Sequence, residues 1–378
     1  MNLFDVYSLL DMEPVKAQGA YLWDKKGEEY LDFYGGHAVI SIGHTHPHYV
    51  EKISEQLSKI GFYSNAVINS LQVELAEKLG ALSGYDDYSL FLCNSGAEAN
   101  ENALKLASFT TGRERVLAIK AAFHGRTSLA VTVTDNPAIQ APVNKSDKIS
   151  FVELNDVEAL REELQKGEYA AVIIEPIQGV GGIQVASDEF LMAAREACDA
   201  TGTMLIADEI QAGYGRSGKF FSHQWSGVKA DIITLAKGIG NGFPIGAVMI
   251  SPSIPAKKGM LGTTFGGSHL ACAAAIAVAD VVKDENLVEN ARVMGEKIME
   301  GIAGVSGVKD IRGRGLIIGI DLSVPQADFR KVLREKHHIM TGLTGQYTLR
   351  LLPPLMIGQK EVDRFVEAFR ATAQEMEM

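Results

Sequence analysis

Residues 170–209 read AAVIIEPIQGVGGIQVASDEFLMAAREACDATGTMLIADE. Two unbroken apolar runs, Ala170–Ile174 and Met204–Ala207, flank a stretch of helical periodicity, Glu189–Ala200. An apolar run without alternation suits a strand covered on both faces. Strand, helix, strand in that order is the crossover unit of a parallel sheet. The pattern predicts an α/β fold with a mostly parallel sheet.

The same alternation extends in both directions. Upstream, Ser89–Cys93 reads as a strand, Ala97–Ala107 as a helix and Arg115–Lys120 as a strand. Asp156–Lys166 places Val157, Leu160 and Leu164 at helical spacing. Downstream, Ile232-Ile233 is a short apolar run and Ile245–Ile250 is a further strand. Past about Gly259 the texture changes. Long helical stretches, Leu270–Lys283 and Asn286–Ile302, precede a strand pair over Val308–Leu322 that Gly313 and Gly315 interrupt, and a last helix begins near Gln359. This predicts a smaller α+β domain. Tyr21–Trp23 and Tyr30–Phe33, on either side of Lys25-Lys26-Gly27, predict a hairpin. The expected division is 1–45 as an N-terminal segment packing with the small domain, 46–258 as the large domain and 259–378 as the small one. No Pro/Gly/Ser-rich linker marks a boundary, so the domains should pack tightly.

A chain of 378 residues, 46% hydrophobic and 22% charged, can bury a large core without disulfide staples. Cys93, Cys198 and Cys272 are widely spaced, odd in number and without a CxxC, as buried residues of a reducing compartment would be. The formal net charge of −11, without basic blocks, argues against nucleic acid or an anionic membrane as partner. Met1–Leu10 has no positive leader region, and Asp280 interrupts the most apolar stretch, Leu270–Val282. The expected location is cytoplasmic.

Chemically loaded residues follow the expected strands, where open α/β sheets place ligands. Asn94-Ser95-Gly96-Ala97 opens a helix, and its free N–H groups suit either a phosphate or a plain helix cap. Asp208-Glu209 ends one strand. Lys237 follows another, and a desolvated lysine there would offer a neutral amine for Schiff-base chemistry, although a surface lysine is the commoner state. Phe123 could stack on a flat ring and Arg126 could hold a carboxylate. Two motifs mislead. Gly213–Lys219 nearly matches a P-loop, but Phe220 stands where a hydroxyl should bind Mg²⁺. His44-Thr45-His46-Pro47-His48 looks like a metal cluster, yet Pro47 suits the first turn of a helix and no metal is expected.

The order of motifs decides the reading. Asn94–Asn100 (NSGAEAN), Phe123–Arg126 (FHGR), Glu175–Gln178 (EPIQ), Ala207–Gln211 (ADEIQ), Ala236–Gly238 (AKG) and Gly262–Gly267 (GTTFGG) form a series. That series closely resembles the class III (ω-) aminotransferases of fold type I, and among them the acetylornithine aminotransferase group of arginine biosynthesis. The likeness runs from about Tyr21 to Pro354. It implies pyridoxal 5'-phosphate (PLP) as cofactor. It makes Lys237 the Schiff-base lysine and Asp208 the partner of the protonated pyridine nitrogen. Phe123 would stack on the ring and Gln211 would lie near its 3-oxygen. Ser95, Gly96 and Ala97 would cup the phosphate. Thr264 would reach the phosphate of the neighbouring subunit, which implies a homodimer with a shared active site. Arg126 and Arg350 would clamp carboxylates, with Glu175 and Val180 also at the substrate. The implied reaction moves an ω-amino group from N-acetylornithine or N-succinylornithine to 2-oxoglutarate. Rival readings are a 4-aminobutyrate or ornithine aminotransferase, an aminomutase, or a non-catalytic sensor of the same fold.

Departures from that group are few. Ala97 replaces a usual threonine, which leaves the backbone donors in place, and Ser268-His269 replaces Asn-Pro. Val180 stands where relatives carry a glutamate that pairs with the arginine matching Arg350. Val180 cannot form that pair. Either Arg350 is free for a donor with a second carboxylate, or Val180 only adds apolar wall. His37 and Tyr7 are further residues that could line the substrate entrance or simply pack.

Overall fold

The computed structural model describes residues 1–378. In chain order it has β1 (Pro14–Gln18), β2 (Tyr21–Asp24), β3 (Glu29–Phe33), a single irregular turn α1 (Gly35–Ala38), α2 (Pro47–Lys59) and α3 (Ser70–Ser83). Next come β4 (Ser89–Cys93), α4 (Gly96–Thr111), β5 (Arg115–Ile119), α5 (Ser128–Thr132), β6 (Ile149–Val152), α6 (Val157–Gln165) and β7 (Tyr169–Ile174). The ribbon β8 (Ile177–Gln178) and β9 (Gln184–Val185) leads to α7 (Asp188–Thr201), β10 (Met204–Asp208), β11 (Ile232–Leu235) and β12 (Gly246–Ile250). The last third holds α8 (His269–Asp284), α9 (Leu287–Ile302), β13 (Val308–Arg314), β14 (Ile317–Leu322), α10 (Gln326–His337), β15 (Ile339–Thr344), β16 (Thr348–Leu351) and α11 (Gln359–Glu375).

The unbroken apolar run at β7 is buried at every position. It sits inside a seven-stranded sheet of order β4-β12-β11-β10-β7-β5-β6. The pairs from β11 through β10, β7 and β5 to β6 are parallel. β12 runs against both β11 and β4, a reversal that its apolar sequence does not announce. A second seven-stranded sheet has order β1-β2-β3-β15-β16-β14-β13. The N-terminal hairpin joins the C-terminal strands through a parallel β3–β15 pair.

One continuous apolar core includes Leu117, Val172 and Ile233 of the first sheet and Ile318, Ile320 and Phe365 beside the second. α8 packs on α2, α3 and α9, ten residues past the expected boundary at 259. α2 begins with Pro47 in its first turn, as the sequence predicts. The three cysteines are free and buried. No helix is long and apolar enough to cross a membrane.

Candidate active site

β4, β5, β7, β10 and β11 all deliver their carboxyl ends to one edge of the first sheet, and a cavity of about 380 Å³ opens there. Asn94 to Ala97, Phe123 to Arg126, Glu175, Asp208, Gln211 and Lys237 line it.

Asp208 ends β10 and is buried. Its Oδ2 accepts from Asn100 Nδ2 at 2.8 Å and from His124 Nδ1 at 2.7 Å, and its Oδ1 accepts from the Ile210 N–H at 3.0 Å. Asn100 is held in turn. Its amide also donates to the His124 carbonyl at 2.8 Å, and its Oδ1 accepts from the Thr234 hydroxyl at 2.8 Å. The carboxylate therefore has one orientation, set by charge-assisted bonds in a dry environment.

Lys237 follows β11 in a short turn with φ of +50°, a left-handed conformation that is uncommon outside glycine. Strain of this kind gathers at functional sites. Burial pushes its ammonium below the ordinary lysine range, although Asp208 and Glu175 pull the other way.

Ser95 caps α4, its hydroxyl oxygen accepting from the Glu98 N–H at 3.2 Å. Gly96 and Ala97 start the helix, where the first N–H groups have no intrahelical partner. Glycine at 96 lets the Ile210 side chain pack closely, since a Cβ there would lie 2.9 Å from it. Gly179 makes room in the same way for Gln211, whose Oε1 would otherwise meet a Cβ at 1.8 Å. Gln211 donates to the His37 carbonyl at 3.2 Å, while its buried Oε1 has no partner.

Glu175, expected at the substrate, uses its carboxylate on the backbone. One oxygen accepts from the Phe123 N–H at 2.8 Å and the other from the Gly179 N–H at 3.0 Å. Its acid is raised, chiefly by burial; His124 opposes this and Asp208 adds to it. Arg126 is exposed at the rim, its guanidinium 5.9 Å from the Phe123 ring centroid.

Arg350 lies outside the cavity lining. It is buried, and it donates to the Gly179 carbonyl at 2.8 Å and the Leu343 carbonyl at 2.9 Å, with no carboxylate partner. Val180 is 41% exposed. Thr264 is exposed and is not brought to this chain's cavity. Tyr7 is exposed in the N-terminal segment.

The misleading motifs dissolve. His44 pairs with Asp32, His46 with Glu285 and His48 with Asp280, so the three imidazoles go to different partners. Gly213–Lys219 folds around Arg216, which is buried and donates to the Leu316 and Pro353 carbonyls. Asn100, His124 and Thr234 are the residues that sequence reasoning left without a role. The available signal was Asn100 itself, a polar residue one turn after Gly96 on the helix face that must be buried.

The cavity fits a flat, phosphorylated pyridine ring. It offers a lysine amine, an oriented carboxylate, an unpartnered Gln211 Oε1 and free N–H groups at a helix start. Comparison with known proteins agrees. The family described as Aminotransferase class-III matches residues 6–372. An acetylornithine aminotransferase of Methanosarcina mazei is 40% identical over 356 residues, covering 93% of this chain and 89% of that protein. One of Archaeoglobus fulgidus is 40% identical over 369 residues, covering 97% and 96%. Among solved structures, an ornithine aminotransferase of Toxoplasma gondii superposes with a TM-score of 0.93 at 30% identity, covering 99% of this chain and 93% of that one. A second structure of that enzyme, with partial occupancy of PLP at the active site, has a TM-score of 0.91 at 30% identity, covering 99% and 94%. The chain belongs to the class-III aminotransferases and is a PLP-dependent enzyme of that family.

Proposed function

We propose that the chain transfers the ω-amino group of an N-acylated ornithine, N-acetylornithine or N-succinylornithine, to 2-oxoglutarate. The products are the semialdehyde and glutamate, and the setting is arginine biosynthesis in the cytoplasm. Relatives about 40% identical that are named for acetylornithine support the donor class. The single observation that carries the reading is Arg350, a buried guanidinium fixed by two carbonyls with no carboxylate of its own. Such a group suits acids that must enter and leave in turn, as an amine donor and a keto acid do.

Bound in the cavity, PLP supplies an electron sink and a carbon that can carry an amino group. Lys237 would hold the cofactor covalently and move the proton at the donor's amine-bearing carbon, a task that the lowered ammonium pKa suits. Asp208 would face the pyridine nitrogen and keep a proton on it, held in place by Asn100 and His124. Phe123 would cover one ring face, and the Glu175 carboxylate fixes its backbone. Gln211 would meet the ring 3-oxygen. The Gly96 and Ala97 N–H groups and the Ser95 hydroxyl would hold the phosphate. Arg126 and Arg350 would bind substrate carboxylates, with Val180 on the wall beside them.

Thr264 would serve the phosphate site of a second copy, making a homodimer with shared active sites. Its exposure, and the exposed Phe265 packed at a tilt on Phe62 with centroids 5.2 Å apart, support that part. The test is glutamate formation from 2-oxoglutarate with N-acetylornithine, N-succinylornithine, ornithine and 4-aminobutyrate compared side by side. The reading predicts that an acylated ornithine is used best. Glutamate formed only from ornithine or 4-aminobutyrate overturns it.

A further inference from the structure

The segment that carries Lys237 bends through left-handed backbone twice. Lys237 has φ of +50° and Asn241 has φ of +46°. Asparagine tolerates that conformation, but for lysine it is uncommon. Such backbone persists where the surroundings over-determine it. Within the segment the closing bonds are short-range: Ile239 N–H to the Ala236 carbonyl at 3.3 Å, Gly240 N–H to the Lys237 carbonyl at 3.0 Å and Phe243 N–H to the Gly240 carbonyl at 2.9 Å.

The rest of the hold comes from far away in the chain. The Ser41 hydroxyl donates to the Gly238 carbonyl at 2.7 Å, and the Tyr49 hydroxyl donates to the Gly240 carbonyl at 2.8 Å. Asn241 reaches back in the other direction. Its Oδ1 accepts from the N–H groups of Ser41 at 2.8 Å and Ile42 at 3.1 Å, and its Nδ2 donates to the Gly43 carbonyl at 2.9 Å. Ser41 and Asn241 are both buried, so each of these groups would lack a partner without the other. Residues 41–44 are anchored in turn. The Ser41 carbonyl accepts from the Leu355 N–H at 2.7 Å, and His44 exchanges two backbone bonds with Gly19 at 2.8 and 2.9 Å. The two halves of this clasp run straight into the cavity lining, through Val39 on one and Gly242 to Ile245 on the other.

We propose that Ser41 and Asn241 are positioning residues for Lys237: their clasp holds the strained turn so that the lysine amine stays presented to the cofactor's place in the cavity. This rests on the role proposed above for Lys237. Neither Ser41 nor Asn241 lines the cavity, and neither bonds a charged group. The charged groups that act on Lys237 are Asp208, Glu175, Arg350 and Arg216. Loss of the clasp removes none of them. A looser turn would instead let the lysine nitrogen reach water, and the burial that disfavours its protonated form would relax.

The test is a pH titration of the visible band of the holoenzyme, with steady-state kinetics beside it, for wild type, Ser41→Ala and Asn241→Gly. Glycine at 241 keeps the left-handed φ without strain and removes the side chain. In both variants the midpoint of the titration should rise by about one pH unit. The kcat should fall about tenfold with KM for donor and keto acid little changed. Should Asn241→Gly not fold, Ser41→Ala, which loses one hydroxyl, decides alone. A midpoint that stays at the wild-type value in Ser41→Ala overturns the proposal, whether or not the melting temperature falls, because the bonds then serve stability alone. A wild-type band that does not depend on Lys237 overturns the role of the lysine itself, and the clasp with it.

Discussion

The floor and the mouth of the site are built by opposite rules. On the floor, Asp208, Asn100, His124 and Thr234 are buried and joined by hydrogen bonds of 2.7 to 2.8 Å. Around it, Arg126 and Val180 are exposed, Arg350 is buried beyond the cavity lining with no carboxylate partner, and His37 stands on strained backbone. A group that must face one cofactor atom in one orientation gains from redundant bonds. A group that must accept first one acid and then another loses by having a permanent partner. On the proposed roles, the network saturates at the cofactor and stops at the substrate.

The comparison can be broken from the floor first. Lys237→Ala should lower kcat by roughly 10³-fold or more, because it would remove the group proposed to carry the proton. Single-turnover kinetics with the better donor would show this. Asp208→Asn should lower kcat by about 10²-fold or more, since it would remove the charge proposed to preserve the electron sink. It should act on kcat more than on KM. A change confined to KM would move Asp208 from the floor to the mouth.

Asn100→Ala sharpens the comparison. It touches neither substrate nor cofactor, yet it frees Asp208 and leaves the Thr234 hydroxyl without an acceptor. We expect kcat to fall about tenfold with KM little changed, and stability to fall by about 1–3 kcal/mol. Thr234→Val should add little to Asn100→Ala, because both act through one chain of bonds. Additive losses in a double-mutant cycle would contradict that.

The smallest effect is on pH dependence. In the protein freed of cofactor, Lys237 has a folded-state pKa below its ordinary 10.5. Its charge therefore costs stability wherever the unfolded chain is protonated, and the cost fades as pH rises from the lowered value toward 10.5. The Lys237→Met apoprotein should be the more stable at neutral pH, with the gap closing as pH climbs. A gap that widens with pH would reverse the assignment.

The sheet was legible wherever burial is two-sided. Ala170–Ile174 and Met204–Ala207 lie within β7 and β10, and β7 is buried throughout. The reversed direction of β12 was not legible, because an apolar strand reads alike in either direction. α10 and β15 escaped as well. QADFRKVLREKH is dominated by charge, and IMTGLT carries a glycine whose reason is the Tyr34 ring packed on it. Among the site residues, Lys237 and Asp208 stood out because ionisable groups at the ends of apolar strands are conspicuous. The support for Asp208 did not, since Asn100 lies 108 residues from it and His124 lies 84. The left-handed turn at His37 depends on contacts from Asp32 and Gln211 that local sequence does not carry.

The most direct measurement is the visible spectrum of the purified protein, before and after adding each acylornithine without keto acid. The account predicts a band at about 400–430 nm that requires Lys237 and bleaches on adding an acylated ornithine. A protein that shows no such band even when supplied with PLP, or a band that neither donor alters, would contradict it.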